Sequence, residues 1–475
     1  MVRSSLAVLL LCLPAAWSAS VDDAEILRRM DSVAQKYAQL SRQIWDAPEL
    51  GYQETRSAAL LQDELRKAGF RISDKAGGIP TAFVAEWGQG KPVIAILGEY
   101  DALPGLSQDA VPQRKPLLAD APGHGCGHNL LGTAALFASI SVKDWMSANG
   151  VAGTIRFYGT PAEEGGDGKY YMMRAGLFKD VDTVLTWHPG DRNVATRQSS
   201  LAIISAKFRF HGKPAHAAVA PEAGRSALDA VMVMTHAIEL LREHVPETTR
   251  MHYIITNGGQ APNIVPETAE VFLYARHPSM PVLDGIWDRI LKCAEAGALA
   301  TETRLETNLI NSSYDTLPND ALSALVDKNL RRVGGVNYTP EERTFAEEIQ
   351  KTLGHPAPSV GTAAEIQVPT DGFWSASTDA GDISWNVPTS QLSTATFAPG
   401  VPPHTWQSTA CAGMGIGQKG MVVAAKTLAL TAADLFADPA LVRAARESFE
   451  KRLNGQVYKS RIPDDHPAPL NYRDK

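Results

Sequence analysis

The chain has 475 residues, 44% of them hydrophobic and 20% charged, with a formal net charge of -7. Such a composition excludes a disordered or fibrous chain, and the length suits two or three domains with sizeable cores. The mild acidity, with no run of Lys or Arg, excludes a nucleic-acid-binding surface of the usual basic kind.

Residues 1–20 have the three parts of an export signal: Arg3 at the start, an apolar run from Leu6 to Leu13, and small residues between Pro14 and Ser20. The run is shorter than the ~20 residues that span a bilayer, and no later segment reads as transmembrane. A periplasmic or secreted protein is therefore expected. Removing the leader leaves Cys126, Cys293 and Cys411, an odd and widely spaced set that does not read as a disulfide scaffold. Cys293, in the apolar stretch Ile290-Leu291-Lys292-Cys293, reads as a core thiol.

From Asp22 to about Ala68 the pattern is helical, with Ile26, Met30, Val33, Tyr37 and Ile44 at three- to four-residue spacing. Val93 to Leu97 reads as a buried strand, Leu130 to Trp145 as a helix, and Thr154 to Tyr158 and Thr183 to Trp187 as further strands. Alternation of this kind predicts an α/β sheet covered on both faces. Near Ile203 the character changes. Strands at Ala206–Phe210, His252–Thr256, Glu270–Arg276 and Thr303–Leu309, with helices at about 225–243 and 282–298, give the order β-α-β-β-α-β. That order is a self-contained ferredoxin-like module. The α/β character resumes after Ser313 and ends in a helix from about Gly420 to Phe436, with residues 355–375 as loop. The expected organisation is a larger domain in two parts, 21–203 and 314–475, interrupted by a small domain at 204–313.

Three strands lead into potential metal ligands. Leu97 precedes Gly98-Glu99-Tyr100-Asp101, Tyr158 precedes a turn containing Glu163-Glu164-Gly165-Gly166, and Trp187 precedes His188-Pro189. Sites in open α/β sheets collect at the carboxyl ends of strands. The segment Gly123-His124-Gly125-Cys126-Gly127-His128-Asn129 opens the next helix and sets Cys126 and His128 two residues apart. Adjacent glutamates can divide two tasks, one holding an ion and one taking a proton from water. His404, in Pro402-Pro403-His404-Thr405-Trp406, completes a set of five ligand types with Cys126, His128, Glu164 and His188. Taken singly, a Gly-rich turn, a solvated Glu pair, a core histidine or a loop histidine would each be unremarkable; together they suit two ions with an open position.

These segments resemble the M20 metallopeptidases and amidohydrolases, in particular the cysteine-containing subgroup with aminoacylase-like members. The resemblance spans about residues 25–465. It implies a fold with a mixed twisted sheet covered by helices and an inserted ferredoxin-like α+β lid and dimerisation domain. It implies that Cys126, His128, Glu164, His188 and His404 hold two divalent ions, zinc or manganese, with Cys126 bridging them, and that Glu163 is the general base. Asp101 would orient the metal site from behind, and Asp379 and Asp382 are either further supports or helix caps. In the inserted domain, His216 resembles a lid histidine that contacts the substrate carbonyl and that several relatives supply from a partner subunit. Asn263 and Arg276 resemble residues that hold the substrate carboxylate. Asn129 stands where the wider subgroup often has Asp and is not assigned as a ligand. The resemblance implies hydrolysis of N-acylated amino acids, with p-aminobenzoyl-glutamate-type compounds the leading candidate. A dipeptidase or carboxypeptidase on the same site is the alternative, and a non-catalytic metal- or ligand-binding subunit is disfavoured by the presence of Glu163. The expected partners are a small amide or dipeptide, no nucleic acid and no membrane, and a second copy of the chain through the inserted domain or a separate partner subunit.

Overall fold

The computed structural model describes residues 22–473, so the export signal expected at 1–20 lies outside the described residues. The helical pattern expected from Asp22 to Ala68 is two helices, α1 (Asp23–Trp45) and α2 (Thr55–Lys67). Pro48 stands in the intervening segment, where its ring cannot continue a helix, and Leu50 bridges to Ala102 at the end of a central strand.

The elements that follow are β1 (Arg71–Asp74), β2 (Phe83–Gln89), β3 (Val93–Gly98), α3 (His128–Asn149), β4 (Gly153–Gly159), α4 (Gly168–Arg174), β5 (Thr183–Gly190) and β6 (Val194–Ala195). A second group comprises β7 (Ala202–His211), α5 (Ala227–Leu241), β8 (Arg250–Asn257), β9 (Thr268–His277), α6 (Met280–Thr301) and β10 (Arg304–Ser313). The chain then adds α7 (Asp320–Val333), α8 (Pro340–Gln350), α9 (Ala380–Ser384), β11 (Thr389–Ala395), α10 (Trp406–Ala412), α11 (Gly415–Ala437) and α12 (Pro439–Leu453).

The first sheet is seven-stranded and mixed, in the order β1-β2-β4-β3-β5-β11-β6. Its centre, β4-β3-β5-β11, is parallel, and β2 and β6 join antiparallel. β3 is buried along its whole length, as its unbroken apolar run requires for a strand covered on both faces. α3 and α11 pack against each other and the sheet, and Leu131, Phe137, Ile155, Phe157 and Leu428 are fully buried there. Among the described residues α11 alone is long and apolar enough to cross a membrane, and most of it is buried in this core.

The second sheet, β10-β7-β9-β8, is antiparallel throughout. Phe208, Phe210, Val271 and Leu273 form one core with Met234, Trp287 and Ile290 of α5 and α6. β8 lies at its edge and exposes Ile254 and Ile255.

α3 fixes the depth of the site. It approaches the end of β3 so closely that a Cβ on Gly132 would lie 2.6 Å from the Glu99 carbonyl oxygen. Gly132→Ala is expected to lower the denaturation midpoint, since overpacking costs ~1–3 kcal/mol. An unchanged midpoint in chemical denaturation would show that α3 can shift freely.

Candidate metal centre

The parallel strands deliver their carboxyl ends to one place. β3 leads to Glu99 and Asp101, β4 to the Ala162–Gly166 turn, and β5 carries His188 within the strand rather than after it. α3 begins at His128, two residues earlier than its apolar pattern suggests. Gly127 takes a left-handed φ of 77°, and a Cβ there would stand 2.9 Å from Pro189. Only glycine fits between Cys126 and His128 so close to the strand that holds His188.

Cys126, His128 and His188 place one ligand atom each within 4.8 Å of one another, and so do Cys126, Glu164 and His404. Cys126 is common to both groups. A third group on the same spacing joins Glu99, His128 and Glu163. The Cys126 sulfur is 3.4 Å from His188 Nε2, and His404 Nε2 is 3.3 Å from Glu164 Oε1.

The ligand nitrogens are oriented from behind. His128 Nδ1 lies 2.9 Å from Asp101 Oδ1, and His188 Nδ1 lies 2.8 Å from its neighbour's carbonyl at Pro189. Each arrangement gives Nδ1 an acceptor and turns Nε2 toward the cluster, the usual device at metal-bound histidines. The other oxygen of Asp101 accepts the Glu164 backbone N–H at 2.9 Å. His404, half exposed with a left-handed φ of 62°, is held by its own backbone N–H donating to Gly125 O at 2.9 Å.

Burial raises the Glu163 carboxyl well above the ordinary range, and the charges of Glu99 and Glu164 add to the effect. Burial would also raise the Cys126 thiol, but the charges of His188 and His128 outweigh it and bring the thiol well below its usual value. His128 Nε2 and Glu99 Oε2 stand 3.2 Å apart and Glu164 Oε1 stands 3.3 Å from His404 Nε2, all buried and none with a well-aligned hydrogen bond among the described residues. Unpaired buried polar atoms are costly. These atoms, with a thiolate and imidazoles converging on one point, fit divalent cations.

Of the residues expected at the site, Asp101, Cys126, His128, Glu163, Glu164, His188 and His404 come together. Arg276, near the end of β9, reaches the same cavity of about 480 Å³. His216 and Asn263 do not. Their two segments pair beyond the far end of the second sheet, His216 bridging to Ile264 and Ala217 N–H donating to Asn263 O at 3.1 Å. Thr268 to Arg276 along β9 is roughly 26 Å at ~3.3 Å per residue, so neither reaches the cluster of its own chain.

Several site groups carry no clear sequence signal. Lys169, fully buried, joins Glu99 at 2.8 Å and Asp379 at 2.6 Å. Asp379 therefore anchors a lysine rather than capping α9, and Asp382, also buried, accepts from Tyr458 rather than acting as a cap. Trp374, from the loop before α9, stands 6.3 Å from the His188 ring. Asn129, buried, donates to Ser41 O and Ala412 O and faces no ligand. Cys293 is half-buried at the side of the second core rather than within it.

This fold and this cluster define a metal-dependent amidohydrolase of the M20 type. The family model for the M20 peptidase dimerisation domain matches residues 200–302. The chain is 42% identical to one of the subunits of p-aminobenzoyl-glutamate hydrolase from Escherichia coli, over 95% of this chain and 98% of that protein. It is 31% identical to the Xaa-Arg dipeptidase of Mus musculus, over 92% of this chain and 95% of that one. A solved aminobenzoyl-glutamate utilization protein from Klebsiella pneumoniae shares the fold, with a TM-score of 0.60 at 19% identity, over 87% of this chain and 98% of that one. The chain belongs to the M20 family and is a hydrolase of amide or peptide C–N bonds.

Asp101→Asn keeps the size of the side chain but not the carboxylate that faces His128 Nδ1. It is expected to weaken metal binding ~10- to 100-fold, measured by competition with a chelating dye. Unchanged affinity would remove Asp101 from the support of His128.

Proposed function

We propose that this enzyme hydrolyses the amide bond between an aromatic acyl group and an amino acid, with p-aminobenzoyl-glutamate the first candidate. The observation that carries this reading is a pair of unlike cavities meeting at the cluster. One, of about 480 Å³, contains Arg276, Tyr274 and Ser377 beside Glu163. The other, of about 600 Å³, is largely apolar, is lined by Trp374, Phe397, Pro356 and Pro402, and shares His188 and Trp374 with the first. A substrate with a flat apolar half and a carboxylate half suits this division.

In this reading Cys126, His128, Glu164, His188 and His404 hold two divalent cations, zinc or manganese, with Cys126 shared. When bound, the cations polarise the scissile carbonyl and make water a better nucleophile at neutral pH. Glu163 takes a proton from the attacking water. As the oxygen bonds to the carbonyl carbon and the C–N bond breaks, Glu163 returns that proton to the departing amine, giving a carboxylic acid and an amino acid. Arg276 receives the carboxylate in its planar fork. Its Nε is buried and unpartnered among the described residues, which suits a guanidinium awaiting an anion. Lys169 holds Glu99 and Asp379 in place behind the cluster.

His216 and Asn263 act in this reading on the site of a neighbouring chain. The exposed Ile254 and Ile255 on the edge strand β8, with Met232 and Leu240 exposed on α5, support association through the inserted domain. A homodimer, or a pair with a distinct subunit, is the proposed assembly, and export to the periplasm or medium is the proposed location.

The purified mature protein, stripped of metal and then loaded with zinc or manganese, is expected to release glutamate from p-aminobenzoyl-glutamate only when loaded. Glu163→Gln is expected to keep its metal and lose roughly 10²- to 10⁴-fold in kcat. Intact turnover in Glu163→Gln would exclude Glu163 as the base. A loaded wild-type enzyme that cleaves dipeptides and no aroyl amino acid would establish the dipeptidase alternative instead.

A further inference from the structure

The segment that follows α12 returns to the cavity. After α12, Tyr458 donates to Asp382 at 2.9 Å and Tyr170 donates to Ile462 O at 3.1 Å, tying the segment across the large domain. Tyr472 packs edge-on against Tyr52, ring centroids 5.9 Å apart, and its hydroxyl lies 3.3 Å from Glu164 O. Arg473 donates to the same carbonyl and lines the cavity that holds Arg276 and Glu163.

The cavity thus has two guanidinium groups, and each has a buried Nε without a partner among the described residues. Apart from Glu163, which groups with Glu99 and His128, the cavity's own carboxylates are engaged elsewhere. Asp167 accepts from Asn311 and Ser313, Asp379 from Lys169, and Glu164 Oε1 lies against His404. Burial raises the Tyr274 phenol against the opposing charges of Arg473 and Arg276, so both cations act on one spot beside the site. Leaving two buried cationic donors short of acceptors is costly unless an anion fills the cavity. The α-carboxylate that every amino acid has accounts for Arg276 alone.

We propose that Arg473 is a specificity-determining residue that binds a second carboxylate on the amine half of the substrate, so that the enzyme selects N-acylated glutamate or aspartate. This rests on the reading of the site as an N-acyl amino acid hydrolase. The carboxyl-terminal tail is then part of the binding site. A leaving group with a basic side chain meets like charge there, and one with a neutral side chain leaves Arg473 desolvated and unpaired; both are selected against.

The test is kcat/KM of the full-length, metal-loaded enzyme on the p-aminobenzoyl amides of glutamate, leucine and arginine. The wild type is expected to prefer glutamate. In Arg473→Gln the glutamate-to-leucine ratio is expected to fall roughly 10- to 100-fold, mainly through KM, as loss of a charged hydrogen bond implies. Arg473→Lys should retain most of the ratio, and Arg473→Glu should shift preference from glutamate toward arginine. A purely structural tail would change all three substrates together and leave the ratios fixed, which overturns the inference. A wild type that cleaves the leucine amide as well as the glutamate amide overturns it too, while leaving the hydrolase reading intact. A loaded wild type silent on all three overturns both.

Discussion

The two oxygens of the Asp101 carboxylate belong to two different parts of the site. One faces His128 Nδ1 at 2.9 Å and the other accepts the backbone N–H of Glu164 at 2.9 Å. A single buried side chain at the end of β3 therefore sets the ring of a histidine on α3 and the turn after β4. Burial alone would raise this carboxyl, but the charge and hydrogen bond of His128 hold it below its ordinary value. It stays anionic, and an anion is what orients the His128 ring.

Around that interaction the molecule gathers several carboxyl groups away from water. Glu99, Asp101, Glu163, Glu164, Asp167 and Asp379 crowd the ends of the strands, and Lys169 is the fully buried lysine set among them. Removing charges from water is tolerable only when they are paired or coordinate metal. The backbone is strained in the same region, with Ala162, Asp167 and His404 all at positive φ, conformations that cost about 1–3 kcal/mol each. Glu54 helps hold the first of these, accepting the Ala162 N–H at 2.8 Å, and burial pushes its own carboxyl up to about 8. Strain and charge concentrated where the ligands converge mark the region as built for binding rather than for stability.

The cluster was legible in the sequence from the joint occurrence of its members and the family resemblance, with a strong local signal beside only some of them. Val93–Leu97 and Thr183–Trp187 are unbroken apolar runs that announce buried strands, and glycines flank Cys126. The ferredoxin-like module was legible from local pattern, its strands alternating and its helices amphipathic. What escaped was set by tertiary context. β11, Thr389 to Ala395, is rich in Ser and Thr and has no apolar run, yet it pairs with β5 and puts Ser393 beside His188. Lys169 follows a glycine-rich turn and looks like any surface lysine; only the closing of α4 against α9 buries it. Arg473 lies 309 residues from the glutamate whose carbonyl it joins, in a tail with no periodicity. The break at Pro48 was visible as a proline but was overridden by the helical spacing on either side of it.

The second sheet contributes to the site through one end only. Ile203, Arg276 and Asn311 reach the cavity, while His216 and Asn263 stand at the opposite end. A module long enough to place its two ends in two different sites is suited to linking chains. The site turns on the sharing of Cys126 between two groups of candidate ligands, and calorimetric titration of metal-stripped protein with zinc tests that sharing most directly. Wild-type chains are expected to take up two equivalents, and Cys126→Ser to weaken both. Loss of affinity at one site with the other untouched, or two unaltered sites, would contradict a shared thiolate.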